Sequence, residues 1–144
     1  MPIRPELRHF YSGPAWRATR KRILERAKNR CERCQKPNGA KVLQFVQKGR
    51  MWWKGWDAKL WRNQHGRLSH TPMPAKGRVY LVRIVLTIAH LNQVAGDDRE
   101  ENLAALCQWC HLRHDRGQHL KAARETRTNR KDAGRPLLQE SKTA

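Results

Sequence analysis

Apolar and polar positions change period several times along this chain. From Ala15 to Lys28, AWRATRKRILERAK sets Trp16, Ile23, Leu24 and Ala27 in a rough stripe among arginines and good helix formers, predicting a helix that starts after Gly13 and Pro14. VLQFV, residues 42 to 46, predicts a short strand. Residues 47 to 77 mix Gly, Pro, basic residues and Trp52, Trp53, Trp56 and Trp61 without a sustained period, so they read as an insertion. RVYLVRIVLTIAH, 78 to 90, is rich in β-branched residues and predicts a strand delivering His90 to its tip, before the polar loop NQVAGDDREE. NLAALC is too short for periodicity to separate a strand from a first helical turn, whereas 108 to 130 favour a helix weakened by Gly117.

A chain of 144 residues holds one modest core, which places a single domain at 1–133, with the insertion at about 47–77 inside it. Residues 134–144, with Gly134 and Pro136 and little to bury, are expected to form a flexible tail. Charge narrows the partners. Thirty-one Lys plus Arg against 12 Asp plus Glu gives a formal net charge of +19, which calls for a polyanion, and nucleic acid is the expected one. A membrane partner is not expected, because no stretch approaches about 18 apolar residues. MPIRPELRHFYSGPAW lacks the apolar region of a secretory signal, so a cytoplasmic location is expected.

The four cysteines form two C-x-x-C pairs, Cys31 with Cys34 and Cys107 with Cys110. In a reducing compartment such pairs hold a metal more often than they form disulfides, and four thiolates suit a closed, tetrahedral structural zinc. KPNG at 36 to 39 supplies the turn of a zinc knuckle. Trp109, between the second pair, is expected to pack.

With the cysteines assigned, His90, Asn102, His111, His114 and Asp115 remain. A strand-end histidine, a loop and a helix carrying His111 with His114 and Asp115 at i+3 and i+4 are suited to one further metal. Phosphodiester cleavage needs a base for water and a cation for the phosphate, and an imidazole titrating near neutrality suits the first role. His9, His65, His70 and His119 lack such company and are read as surface residues. Arg17, Arg20, Lys21, Arg22 and Arg26, and later Lys121, Arg124, Arg127, Arg130 and Lys131, are candidate phosphate contacts; such contacts position DNA but carry no sequence information. The four tryptophans suit stacking on unpaired bases, but a small core within the insertion is the better reading.

Four segments together resemble the HNH endonucleases of the compact phage and bacterial type: AWRATRKRILERAKNRCERC at 15–34, the CERC knuckle itself, IAHLN at 88–92 and ENLAALCQWCHLRHD at 101–115. The resemblance implies an α+β fold of ββα-metal (His-Me finger) type, with a hairpin and a helix around one divalent ion and a four-cysteine zinc stapling the module. It implies His90 as general base, Asn102 as the residue fixing the loop or holding metal, and His111 as a metal ligand for Mg, Mn or another divalent ion. Asp115 lies where the colicin nucleases place a further helix ligand; His114 is a lesser candidate. The position before the base, usually a metal-binding Asp or His, is Ala89 here. The ion then falls to His111 with Asp115, Asn102 or a loop carboxylate such as Asp97 or Asp98. The alternative is a zinc-stabilised DNA-binding module whose catalytic metal site has decayed.

Overall fold

The structure is a computed structural model that describes residues 4–70 and 76–133. The expected flexible tail at 134–144 lies outside the described residues. The chain divides into two compact units, the first ending at Arg113 and the second starting at His114.

In the first unit, a 3-10 turn at Pro5–Tyr11 leads to helix α1 (Pro14–Arg26). Pro14 at the first helical position has no N–H to lose there, and Ile23 and Thr19 face the interior. The helix ends two residues earlier than expected, because Lys28 and Asn29 adopt left-handed backbone with φ of 52° and 54°. The chain then enters the first cysteine knuckle.

Strands β1 (Lys41–Gln47), β2 (Arg50–Gly55), β3 (Arg62–Asn63) and β4 (Arg78–Arg83) form an antiparallel sheet in the order β3-β2-β1-β4. The segment read as an unpatterned insertion thus contains regular structure. Lys48 and Gly49, both at positive φ, make the two-residue turn whose twist suits a hairpin, and β2 runs RMWWKG back along β1. Nor do the tryptophans form a core of their own. Trp53 enters the main core, Trp52 and Trp61 are half-buried, and Trp56 is 62% exposed.

The stretch from Arg78 to His90 is two strands, not one. β4 is an edge strand of the four-stranded sheet, while β5 (Thr87–His90) pairs with β6 (Leu103–Leu106) in a separate two-stranded sheet. NLAALC therefore supplies a strand. Between β4 and β5 the backbone of Ile84–Leu86 leaves the ladder, and groups distant in sequence take up its hydrogen bonds. Ile84 N–H donates to Ala40 O and its carbonyl accepts from Gly39 N–H. Asn38 Oδ1 accepts from Leu86 N–H, Gln108 Oε1 from Val85 N–H, and Arg20 donates to Leu86 O. Satisfying these groups makes the break tolerable while Ile84 and Leu86 stay buried.

The core gathers Ile23, Val42, Met51, Trp53, Ile84, Leu86, Ile88, Leu103, Leu106 and the four cysteines. All four residues of β6 are buried, and α1 packs against that strand. Arg26 fastens the joint by donating to Leu103 O, Glu100 O and both carboxylate oxygens of Glu32. Helix α2 (Gln108–Ala133) begins in the first unit and continues as the second. Beyond Leu120 its described side chains are exposed. No described helix is long and apolar enough to cross a membrane.

Candidate metal centre and histidine site

The cysteines form the first site. Cys31 N–H donates to Lys36 O and Gln35 N–H to Cys31 O, closing a knuckle in which Gln35 takes a φ of 64°. Glu32 then binds β6 twice: its N–H donates to Ala105 O, and its carboxylate accepts from Ala105 N–H at 2.7 Å. That pairing sets the first knuckle beside Cys107 and Cys110 at the start of α2. All four thiols are buried, and their sulfurs lie within 4.8 Å of one another.

The sulfurs of Cys34 and Cys107 are 3.5 Å apart, far from the bonded distance of a disulfide. A tetrahedron with zinc–sulfur bonds of ~2.3 Å has edges of ~3.8 Å, so this tetrad can hold a structural metal ion such as zinc. Hydrogen bonding to Cys107 holds Cys31 well below the usual thiol range, and hydrogen bonding to Cys110 lowers Cys107 to about 7. Cys34 and Cys110, hydrogen-bonded to Cys107 in turn, are pushed up. Lys36 is completely buried nearby, and its ammonium donates to Gln44 Oε1 and favours the Cys107 thiolate.

The insertion touches this centre. Gly66, at φ +80°, lies so close to the knuckle that a Cβ there would meet Cys34 O at 2.8 Å.

His90 ends β5, but it is enclosed, not displayed: the residue is 7% exposed. Its Nε2 lies 2.8 Å from Asp98 Oδ1. Its Nδ1 lies 3.5 Å from the Tyr11 hydroxyl, and the Trp16 indole stacks on the ring at 5.7 Å between centroids. Tyr11 and Trp16 come from a segment about eighty residues away in the chain, and no local pattern marks them as neighbours of a histidine.

Asn102 orders the intervening loop. Its Oδ1 accepts from Asn92 N–H at 3.0 Å, while its Nδ2 donates to Asn92 Oδ1 at 2.9 Å and Asp97 O at 2.8 Å. These contacts tie Asn102 to both Asn92 and Asp97 within the loop. Asp97, one of the two loop carboxylates, is taken by Arg99 and Asn92, and the Arg99 guanidinium holds it at about 2. Asp98 instead faces His90.

His111 lies on the first turns of α2, with Nδ1 2.7 Å from Thr87 Oγ1 at the opposite end of β5 from His90. Thr87 also lies within hydrogen-bonding distance of Leu106 O. Ala89 is buried and offers no ligand atom. His114 and Asp115 fall in the second unit, where both are half-buried. Among the described residues the cysteines are the one convergent group of three or more His, Cys, Asp or Glu side chains.

Of the candidate phosphate contacts, Arg17, Arg20 and Lys21 line an open cleft of about 460 Å³ along α1. Arg20 has a structural duty as well, since it caps the Leu86 carbonyl. Arg124 and Arg127 are exposed on α2 in the second unit. His9, His65 and His70 are exposed as expected, but His119 is half-buried, and its Nε2 is inaccessible to solvent. Compared with known proteins, the chain matches no family model, no curated protein and no solved structure.

Proposed function

We propose that this protein is a zinc-stapled HNH endonuclease that hydrolyses DNA phosphodiester bonds with a divalent cation. The observation that carries the reading is the loop between β5 and β6. Asn102 pins it at three points, and it sets the Asp98 carboxylate on Nε2 of the strand-end histidine.

A carboxylate accepting the Nε2 proton leaves Nδ1 as the basic nitrogen of His90. The attacking water would deliver its proton to that nitrogen, on the side of the ring that faces the Tyr11 hydroxyl. His90 takes a proton from this water as its oxygen bonds to phosphorus and the P–O3′ bond breaks, the electron pair leaving on the 3′ oxygen. Asp98 then stabilises the imidazolium. Arg17 and Lys21 contribute phosphate contacts from α1.

When bound, the divalent ion supplies charge neutralisation on the scissile phosphate. Histidine imidazole is an acceptable donor for such an ion, and His111 is the residue that would hold it, its ring meeting Thr87 at the far end of β5 from His90. The rest of its coordination would be water and phosphate oxygen, the manner in which magnesium binds where protein ligands are few. The cysteines would carry zinc, and folded protein should contain close to one zinc per chain.

The buried Ala89 favours a second reading, a zinc-stabilised module that binds DNA without cutting it. Plasmid nicking with added Mg, Mn or Ni separates the two. The nuclease reading requires nicking by wild type, abolished in His90→Ala while DNA binding persists. A folded wild type that binds DNA but never nicks it with any of these metals leaves the binding module.

A further inference from the structure

The insertion leaves one feature that neither metal centre uses. The backbone turns at Gly55–Ala58, where Ala58 N–H donates to Gly55 O, and this turn projects Trp56 into solvent. Among the described residues Trp56 makes no ring stacking or cation–π contact. Its neighbours differ: Lys54 caps the Trp61 ring at 5.3 Å, and Arg62 faces the buried Trp53 at 5.9 Å. An indole kept 62% exposed forgoes most of the free energy of burial, and Leu60 and Leu68 are exposed alongside it at 62% and 42%.

Next to this turn lies a pocket of about 370 Å³ with Leu60 and Leu68 as its apolar lining and Lys54, Lys59 and Arg62 as its cations. The carboxylate in the turn, Asp57, folds back toward Gly55, where a Cβ would lie 3.5 Å from its Oδ1. The combination is a π surface, an apolar recess and three positive charges, of which Lys54 also caps Trp61 and Arg62 also donates to Gly66 O at 2.9 Å, in a chain of net charge +19.

We propose that this face binds single-stranded nucleic acid, with an unpaired base stacked on Trp56 and the flanking phosphates held by Lys54, Lys59 and Arg62. Charge complementarity selects a polyanion. The exposed ring selects a single strand, because a duplex hides base faces in its own stack and offers only edges and phosphates. The pocket volume is at the small end for ligand sites, which suits one nucleotide. The site uses none of the residues assigned to hydrolysis, so it stands or falls separately from the nuclease reading.

The test compares a fluorescein-labelled 16-nucleotide oligothymidine with a mixed-sequence 16-base-pair duplex, by anisotropy, without added divalent metal. Wild type, Trp56→Ala and Lys59→Ala/Arg62→Ala are measured, with urea unfolding as the check that each variant folds. Removing one stacked base should weaken single-strand binding roughly tenfold while duplex affinity changes less than twofold. The double variant should lower the single-strand salt slope by about 0.7 for each phosphate no longer neutralised. Equal weakening on both DNAs, or an unchanged single-strand affinity for folded Trp56→Ala, overturns the proposal. Failure of wild type to bind the oligothymidine also overturns it and leaves the patch to a protein partner.

Discussion

Replacing Asn102 with alanine tests the loop that holds Asp98 against His90. The residue is 6% exposed and makes three side-chain hydrogen bonds, two to Asn92 and one to Asp97 O. At a net contribution of roughly 0.5–1.5 kcal/mol each, their removal would cost about 1.5–4.5 kcal/mol. Asn92 is exposed and Asp97 half-buried, so water can reach the stranded partners and the cost should lie in the lower half of that range. We expect about 2 kcal/mol, close to a thirtyfold change in the folding equilibrium. Urea unfolding of the metal-loaded protein measures it, and hydrogen exchange should show the Asn92 amide losing protection together with the loop. Asn102→Asp provides a sharper comparison. Its second oxygen would face Asn92 Oδ1 and Asp97 O, two acceptors with no proton between them, so it should be at least as destabilising as alanine. If the nuclease reading holds, nicking by Asn102→Ala should fall at least tenfold with DNA affinity retained. A destabilisation below about 0.5 kcal/mol at unchanged m-value, with the Asn92 amide still protected, would refute the claim that Asn102 anchors the loop.

Three further outcomes follow from the same geometry. Lys36→Met removes a buried ammonium that favours the Cys107 thiolate, so zinc affinity measured by competition with a chromophoric chelator should fall tenfold to a hundredfold; unchanged affinity would show that Lys36 does not support the centre. Gly66→Ala puts a Cβ 2.8 Å from Cys34 O at a φ of +80°, so left-handed strain of roughly 1–2 kcal/mol adds to displacement of the knuckle. Its Tm should drop by at least about 5 °C, and a shift of less than a degree would mean that the insertion does not press on the knuckle. Arg99→Ala should let Asp97 titrate near its ordinary value instead of at about 2, followed by carboxyl chemical shifts in an NMR titration. Because folding depresses this pKa, the wild-type contribution is complete above about pH 4 and is lost as pH falls through about 2, and the variant should lack that acid-range dependence.

The two C-x-x-C pairs, the helix before them and the positions of His90, Asn102 and His111 were all legible in the sequence. Each rests on short-range spacing, and i to i+3 thiols on a knuckle or helical start converge wherever the fold places them. Net charge likewise raised the expectation of a polyanion partner without reference to shape.

Other features depended on residues distant in sequence. RVYLVRIVLTIAH has the composition of one strand, yet it divides because Asn38, Gln108 and Arg20, from three other parts of the chain, satisfy the backbone at the break. The four tryptophans are chemically alike, and only their places on β2, in its following turn and just before β3 decide that Trp53 is core and Trp56 is exposed. The enclosure of His90 by Tyr11, Trp16 and Asp98 likewise depends on tertiary packing. Sequence determined which candidate metal-binding and titratable side chains this protein carries, because those follow from residue chemistry and local period. Tertiary structure decided what surrounds them, because burial and hydrogen-bond partnership belong to pairs of residues that the chain brings together only on folding.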